Sequence, residues 1–236
     1  MENKICILTP DGADRPEFLK HCCYQASRQT VKAKHIVLSR KPTPGKPDLT
    51  AKIRAGALMA YEQGFKYCAV MENDDYYPDN YIETILNWDF DLWGIAQTIY
   101  YNIALRKYQY FAPEGRSSLF MTAFRTEFIL DYPWPADTEV YLDLHLWSHY
   151  NLQFNEQSLT ANTVLLPPDQ VTETPIGIKH GIGYCGGNGH HDSEMYLNSD
   201  PNLQWFNTNM HRKESRAFYA DIMQQIKYNQ LDLIRG

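Results

Sequence analysis

Residues 67–79 read YCAVMENDDYYPD, a short apolar run that ends in a dense group of carboxylates. Two further apolar runs precede it, residues 4–8 (KICIL) and 35–38 (HIVL), and segments with helical spacing of their apolar residues lie between the three runs. Continuous apolar strands that alternate with helices are typical of a parallel sheet covered on both faces. The first ninety residues therefore predict an α/β fold.

The sequence also predicts where the connecting helices begin and end. The first follows Arg15, with Pro16 in its first turn, where proline is tolerated. The second runs from about residue 50 to 63, is capped near Asp48 or Thr50, and ends at Gly64. Ligands of such sheets bind beyond the carboxyl ends of the strands. The predicted ligand edge therefore comprises residues 9–15, 39–41 and 72–77.

The second half of the chain has a less regular pattern. Strands are expected at residues 91–96, 117–124 and 162–166. A helix is expected at residues 137–150 with Val140, Leu144 and Trp147 inward, and a final helix at residues 211–229 with Phe218, Ile222 and Ile226 inward. Trp88, Trp93 and Trp134 are expected in the core. No linker or repeat interrupts the chain, so we expect a single domain over residues 1–236.

Composition excludes several classes of protein. The 236 residues are 44% hydrophobic and 21% charged, which is typical of a globular chain rather than a disordered or collagen-like one. The net charge of −6 gives no global attraction to nucleic acid or to anionic membranes. The five cysteines form no CxxC pattern, and no signal or membrane-spanning segment is present. A cytoplasmic protein without a membrane partner is expected.

The carboxylates after the third apolar run indicate a metal site. Glu72, Asp74 and Asp75, with the amide Asn73 among them, follow a buried strand at its carboxyl end. Clustered like charges raise one another's pKa unless a cation neutralises them, and Mg²⁺ and Mn²⁺ prefer such oxygen ligands. The alternative interpretation is an acidic helix N-terminus, which Asp79 fits well.

In its order of motifs the first half of the chain resembles GT-A glycosyltransferases of the family 2 type. The segments KICILTP, ADRPEFL and KIRAGALMAYEQGFKYCAVMENDDYYPDNY carry the resemblance. Thr9, Arg15, Pro16 and Leu19 correspond to the T-x-x-R-P-x-x-L turn, with five residues instead of two between Thr9 and Arg15. Arg54 and Gly56 approximate the R-x-x-G helix, and residues 72–75 occupy the place of the D-x-D motif. Glu72 stands where the family usually has Asp. The resemblance is closest over about the first ninety residues and continues more weakly to about residue 190.

The resemblance implies a GT-A fold, a mixed central sheet flanked by helices, and a Mn²⁺ or Mg²⁺ ion that binds a nucleotide-diphospho-sugar. A UDP-sugar is the expected donor, although residues 39–41 lack the acid that often contacts the base. Residues 1–95 would bind the donor, residues 96–195 would form the acceptor and catalytic half, and residues 196–236 would form a C-terminal loop and helix. The implied donor contacts are Thr9, Arg15, Arg54, Glu72 and Asp74.

The resemblance also implies the remaining site residues. Asp143 lies in a segment similar to the motif that carries the general base of inverting members, and Glu139 is the substitute, with Asp137 behind it. The alternative is that Asp143 is a solvent-facing residue of an amphipathic helix. Family members place a third metal ligand in a late glycine-rich loop, and the candidate ligands here are Asp74, Asp75, His190 and His180. Lys179 would offset phosphate charge.

The acceptor stays open at this stage. Short members of the family are often encoded by phages and viruses, so one implied acceptor is a 5-hydroxymethylpyrimidine in viral DNA, contacted by the basic residues Arg40, Lys41, Lys46, Arg212, Lys213 and Arg216. Glycan, small-molecule and protein acceptors are alternatives, and so is a role of these cations as ordinary surface charges. Two other classes compete: a Mg²⁺-dependent nucleotidyltransferase, and a non-catalytic module that binds carbohydrate or nucleic acid. The oligomeric state is not predicted.

Overall fold

The computed structural model describes residues 4–43, 46–128, 130–150, 162–181 and 196–235. Helices and strands alternate through the first half, as the apolar pattern predicts. The strands are β1 (Ile5–Asp11), β2 (Lys34–Ser39), β3 (Tyr67–Val70), β4 (Leu92–Ile95), β5 (Thr98–Asn102), β6 (Lys107–Phe111), β7 (Ala123–Arg125), β8 (Thr163–Leu166), β9 (Ile176–Lys179) and β10 (Asn198–Ser199). The helices are α1 (Pro16–Ser27), α2 (Leu49–Glu62), α3 (Tyr81–Leu86), α4 (Leu142–Tyr150), α5 (Gln204–Asn209) and α6 (Lys213–Arg235).

Six strands form a mixed central sheet in the order β2-β1-β3-β7-β4-β8. β1 pairs in parallel with β2 and β3, whereas β7 runs antiparallel to both of its neighbours. The side chains of β1 alternate between the two faces: Ile5 and Ile7 pack with α1 and α3, and Cys6 and Leu8 pack with α2 and α4. The protein is therefore an α/β protein with helices on both faces of a mixed sheet, consistent with a Rossmann-like arrangement.

A second sheet of four strands, in the order β10-β6-β5-β9, lies beside the central one. β5 and β6 form an antiparallel hairpin, and β9 adds to β5 in parallel. This sheet shares an apolar cluster with α1, α5 and α6, in which Phe206, Tyr219 and Ile222 are buried. The inward face predicted for the C-terminal helix is thus confirmed for Ile222, and Phe218 and Ile226 pack against the same cluster while partly buried.

Three local predictions are wrong. Residues 117–124 do not form one strand, because Leu119–Met121 is a 3-10 helix and only Ala123–Arg125 joins the sheet. Helix α4 begins at Leu142, and its buried face consists of Leu142, Leu146 and Trp147, while Val140 and Leu144 are exposed. Trp88 is 41% exposed, whereas Trp93 is fully buried as expected.

The register of α4 has a functional consequence. An amphipathic helix buries residues spaced three or four positions apart, and Leu142, Leu146 and Trp147 satisfy that spacing. Asp143 lies next to Leu142 at the edge of the buried face, so its carboxylate is only 15% exposed. The alternative interpretation, a solvent-facing Asp143, is therefore wrong. In the described ranges, no helix has the length and apolar character needed to span a membrane.

Candidate functional site

The acidic segment lies where three strands end. β3 leads directly into residues 72–75, β1 ends at Asp11 beside it, and β9 reaches the same edge from the second sheet. Tyr76 and Ile176 join the two sheets through a pair of backbone hydrogen bonds of 3.0 and 2.9 Å. The backbone N–H of Ile178 then donates to Asp75 Oδ1 at 2.7 Å. β9 thus fixes the orientation of one carboxylate.

Glu72, Asp74 and Asp75 form a compact group of carboxylates. One oxygen from each lies within 4.8 Å of the others. Asp74 and Asp75 are buried, and Glu72 is half-buried. The second oxygen of Asp75, Oδ2, is buried and has no hydrogen-bond partner in the described chain. A buried carboxylate oxygen without a donor is costly, so this atom is suited to accept a ligand such as a cation.

Arg15 and His180 both contact Asp74. Arg15 Nη1 donates to Asp74 Oδ2 at 2.6 Å, and Arg15 Nη2 donates to Asn73 Oδ1 at 2.9 Å. His180 Nε2 lies 3.0 Å from the same Asp74 oxygen and 3.0 Å from Arg15 Nη1. The loop that carries Arg15 into the site includes Ala13 with φ of 56°, a left-handed conformation that costs free energy in a residue other than glycine.

The three carboxylates differ in their pKa values. Burial and the nearby Asp74 raise the pKa of Glu72 to about 7. Burial alone would raise the pKa of Asp74, but Arg15 and His180 outweigh it and hold that pKa well below the usual range. Burial and Asp74 raise the pKa of Asp75 well above its usual value. Asp74 is therefore the fixed negative charge of the site, and a bound cation would favour the ionised forms of the other two.

Lys179 provides a second positive charge beside the carboxylates. Its Nζ lies over the ring of Tyr100 at 4.9 Å from the centroid. Burial opposes its charge, but Asp75, Tyr100 and Asp74 raise its pKa above the usual value. The ring of Tyr100 packs directly on Gly177, where an added Cβ would lie 2.6 Å from a ring carbon. Lys179 therefore keeps its ammonium charge in a largely protein-lined position.

The residues fit a hard divalent cation. Three carboxylates supply oxygen ligands of the kind that Mn²⁺ and Mg²⁺ accept, and Asp75 Oδ2 is a buried acceptor without a donor. The charges of Arg15 and Lys179 offset part of the negative charge of the three acids. The cluster alone therefore attracts a cation weakly, and a diphosphate that binds with the cation would complete the charge balance.

Asp143, at the start of α4, interacts electrostatically with this cluster. Its carboxylate pairs with the Nη1 of Arg116, and burial raises its pKa while Arg116 lowers it. Asp143 in turn contributes to the raised pKa of Glu72, so the two carboxylates share one electrostatic environment. A carboxylate with a raised pKa is a stronger base than an exposed one. The position of Asp143 is compatible with a general base.

Glu139 and Asp137 have other roles in the described structure. Glu139 Oε1 accepts hydrogen bonds from the backbone N–H groups of Val140 and Tyr141, each at 2.8 Å. These bonds, the one from Tyr141 first, lower the pKa of Glu139. Asp137 Oδ1 pairs with Arg54 Nη2 at 2.7 Å. Glu139 thus supports the entry to α4 and is a weaker base than Asp143.

Two predicted donor contacts lie apart from the acidic cluster. Thr9 is buried in β1, and its hydroxyl lies 2.8 Å from His35 Nε2. Arg54 is 40% exposed on α2, and within the described residues it has no hydrogen bond or ion pair with the cluster. Arg15 is brought to the cluster but contacts Asp74 and Asn73. His190 lies outside the described residues.

Sequence reasoning missed two contributors to the site. Arg116 is the partner of Asp143, and no pattern in the sequence indicates that the two residues pair. Asp11 accepts a hydrogen bond from Asn73 Nδ2 at 2.8 Å and another from Ser39 Oγ. Asp11 lies in the predicted ligand edge, but a single acid in a turn carried no distinct signal.

No family model matches this sequence, and no curated protein is significantly similar to it. The α/β architecture and the side chains at the carboxyl ends of β1, β3 and β9 are therefore the features that indicate a function.

Proposed function

We propose that the protein is a metal-dependent glycosyltransferase of the GT-A type that moves a sugar from a nucleotide-diphospho-sugar to an acceptor hydroxyl. The observation that carries the proposal is the group of Glu72, Asp74 and Asp75 beyond the carboxyl end of β3, with Asp75 Oδ2 lacking a donor. Asp143 shares the electrostatic environment of that group. A cation site and a buried base together are what a sugar transfer with inversion requires.

In this proposal Asp74 and Asp75 hold the Mn²⁺ or Mg²⁺ ion, and His180 completes its protein ligands. The bound ion would stabilise the negative charge that develops on the departing nucleoside diphosphate. Lys179 would contact a phosphate oxygen. Arg15 is paired with Asp74, whereas the ammonium group of Lys179 has no ion pair within hydrogen-bond distance in the described chain. Glu72 would help to position the ion.

Asp143 acts as the general base in the same proposal. Its carboxylate would take the proton from the acceptor hydroxyl while the hydroxyl oxygen attacks the anomeric carbon. The bond between that carbon and the diphosphate oxygen breaks in the same displacement, so the product has the opposite anomeric configuration. Arg116 orients the carboxylate and opposes its protonation, which burial favours.

The contacts of the basic residues favour a glycan or small-molecule acceptor over duplex DNA. Arg40 pairs with Asp48 at 3.2 Å, and Arg212 pairs with Asp79. Arg216 Nη1 donates to two backbone carbonyls. These three cations are already engaged within the chain, so fewer remain to neutralise phosphates along a duplex.

The test is a donor screen with the full chain. UDP-, GDP- and dTDP-sugars are incubated with Mn²⁺, with and without pooled glycan and hydroxymethylated DNA acceptors, and release of nucleoside diphosphate or of pyrophosphate is followed by ³¹P NMR. We expect release of nucleoside diphosphate from one donor, loss of this activity in Asp74→Asn, and full activity in the surface control Glu62→Gln. Pyrophosphate release would indicate a nucleotidyltransferase. An absence of turnover combined with sugar binding would indicate a binding module.

A further inference from the structure

A cavity of about 490 Å³ is lined by Tyr76 and by none of the three carboxylates of the acidic cluster. It opens between the loop before α3, the segment before β9 and the start of α6. Its wall consists of Thr30, Tyr76, Asp79, Asn80, Glu173, His211, Arg212, Lys213 and Glu214. None of the roles in the proposed glycosyl transfer uses these residues.

Two polar atoms in the wall lack partners. Tyr76 is 0% exposed. Its phenol oxygen is therefore buried, and it makes no hydrogen bond in the described chain. A tyrosine phenol is protonated at neutral pH, so it offers a hydrogen-bond donor. The Oδ1 atom of Asn80 is a buried acceptor that likewise lacks a donor. A buried hydroxyl without a partner is costly unless a ligand or water supplies one.

The start of α6 makes one end of the cavity positive. α6 has 23 residues, and the first backbone N–H groups of such a helix have no acceptors within the helix. Lys213 begins this helix and has no ion pair in the described chain, and His211 and Arg212 precede it. Backbone N–H groups at a helix N-terminus, a lysine and a phenol are a typical set of donors for a phosphate group.

The charges elsewhere in the wall define the rest of the ligand. Asp79 is already neutralised, because Arg212 Nε donates to it at 2.8 Å and Arg28 lies 3.6 Å from it. Glu173 and Glu214, the second of which lies in the first turn of α6, also line the cavity, and neither makes an ion pair in the described ranges. Two carboxylates and the Asn80 carbonyl oxygen accept hydrogen bonds from neutral hydroxyls, whereas they would repel a second anionic group.

We infer that this cavity is a second ligand site that binds a small phosphate monoester bearing hydroxyl groups, such as a sugar phosphate. The phosphate group lies against the N-terminus of α6, Lys213 and the Tyr76 hydroxyl. The hydroxyl groups of the ligand face Glu173 and Asn80. The site does not depend on the proposed sugar transfer, since it shares no residue with the acidic cluster.

The test uses the full chain in the presence of EDTA, so that no metal ion carries phosphate to the acidic cluster. Glucose 6-phosphate, inorganic phosphate and glucose are titrated by calorimetry and by thermal unfolding. We expect glucose 6-phosphate to raise Tm by about 3–5 °C at roughly ten times its Kd, inorganic phosphate to bind more weakly, and glucose alone not to bind. Equal effects of glucose 6-phosphate and sodium chloride would overturn the inference.

Variants assign the binding to the cavity. Lys213→Met and Tyr76→Phe should each weaken glucose 6-phosphate binding by about 10–100-fold, since each removes a hydrogen bond to a charged group. Tyr76→Phe should also keep or raise Tm without ligand, because it removes a buried hydroxyl that has no partner. The exposed control Lys20→Met and the acidic-cluster variant Asp74→Asn should bind like the wild type. Binding that Asp74→Asn abolishes, or that Tyr76→Phe and Lys213→Met leave unchanged, would refute the second site.

Discussion

Replacing Arg15 with methionine should weaken the fold and tighten metal binding at the same time. Arg15 is 8% exposed and donates to both Asp74 and Asn73. Arg15→Met removes the positive partner and leaves Asp74 buried beside two other carboxylates. Loss of one member of a buried ion pair costs about 3–5 kcal/mol, and in a chain of this size that lowers Tm by roughly 10 °C in chelator.

Metal affinity should change in the opposite direction. A cation bound to Asp74 would lie roughly 5 Å from the Arg15 guanidinium, where repulsion at an effective dielectric of about 20 is about 3 kcal/mol per unit charge. Solvent screening reduces this figure, and Lys179 still offsets part of the negative charge. We therefore expect Arg15→Met to bind Mn²⁺ at least about tenfold more tightly than the wild type and to regain most of its lost Tm when Mn²⁺ is added.

The assay is thermal unfolding in EDTA and in Mn²⁺, together with calorimetric titration of Mn²⁺. Arg54→Met is the matched control, because Arg54 pairs with Asp137 while 40% exposed, and loss of such a pair costs less than about 1 kcal/mol. If Arg15→Met lost stability without any gain in Mn²⁺ affinity, Arg15 would be a purely structural partner of Asp74. The cation would then not bind at that carboxylate.

Three further predictions concern the base, the pH dependence of stability and the packing beside α4. Asp143→Asn should lower turnover by about 10²–10⁴-fold in steady-state kinetics. The Kd of the donor should stay within a few-fold of the wild-type value, because the base acts on the acceptor alone. Retained turnover would contradict the role of Asp143 as the base. Burial lowers the pKa of His21 to about 4, below its ordinary value of 6.5. As pH falls, the unfolded chain therefore takes up a proton at this residue before the folded chain does. The free energy of unfolding decreases between about pH 6.5 and 4 as a result. Urea unfolding should show that His21→Gln removes about 2 kcal/mol of the stability lost by the wild type between pH 7 and 5, and an identical pH slope in both proteins would disprove the assignment. Gly94→Ala would place a Cβ 2.3 Å from Ser117 Cβ and 2.7 Å from the Trp147 ring. It should therefore lower the free energy of unfolding, measured in urea, by about 1–3 kcal/mol. An unchanged urea midpoint would show that α4 can shift to accommodate the methyl group.

The first half of the fold could be read from the sequence because its signals are local. The apolar runs of β1, β2 and β3, Pro16 in the first turn of α1 and Gly64 after α2 each determine their own segment. Gly64 adopts φ of 76°, the left-handed conformation that favours glycine at a helix end. The acidic group followed from the same pattern, since it directly succeeds β3.

The remainder depends on contacts between distant segments. The register of α4 depends on Trp147, which packs beside Gly94 in β4, and no local pattern contains that contact. The sequence likewise gave no sign that Arg116 would pair with Asp143 or that β9 would donate a backbone N–H to Asp75. Residues 162–166 were assigned correctly as a strand, yet their place at the sheet edge beside β4 comes only from tertiary pairing.

Electron–nuclear double resonance of bound Mn²⁺ tests the central claim most directly. With Mn²⁺ and UDP added to the full chain, the proposed site predicts ³¹P couplings from the diphosphate and a ¹⁴N coupling. His180→Ala should remove the ¹⁴N coupling, and its removal by His190→Ala instead would assign that ligand to His190. Asp75→Asn should abolish the ³¹P couplings, and the surface control Glu62→Gln should retain them. Mn²⁺ that shows no ³¹P coupling, or that binds Asp75→Asn as it binds the wild type, would contradict a metal-held diphosphate at residues 72–75.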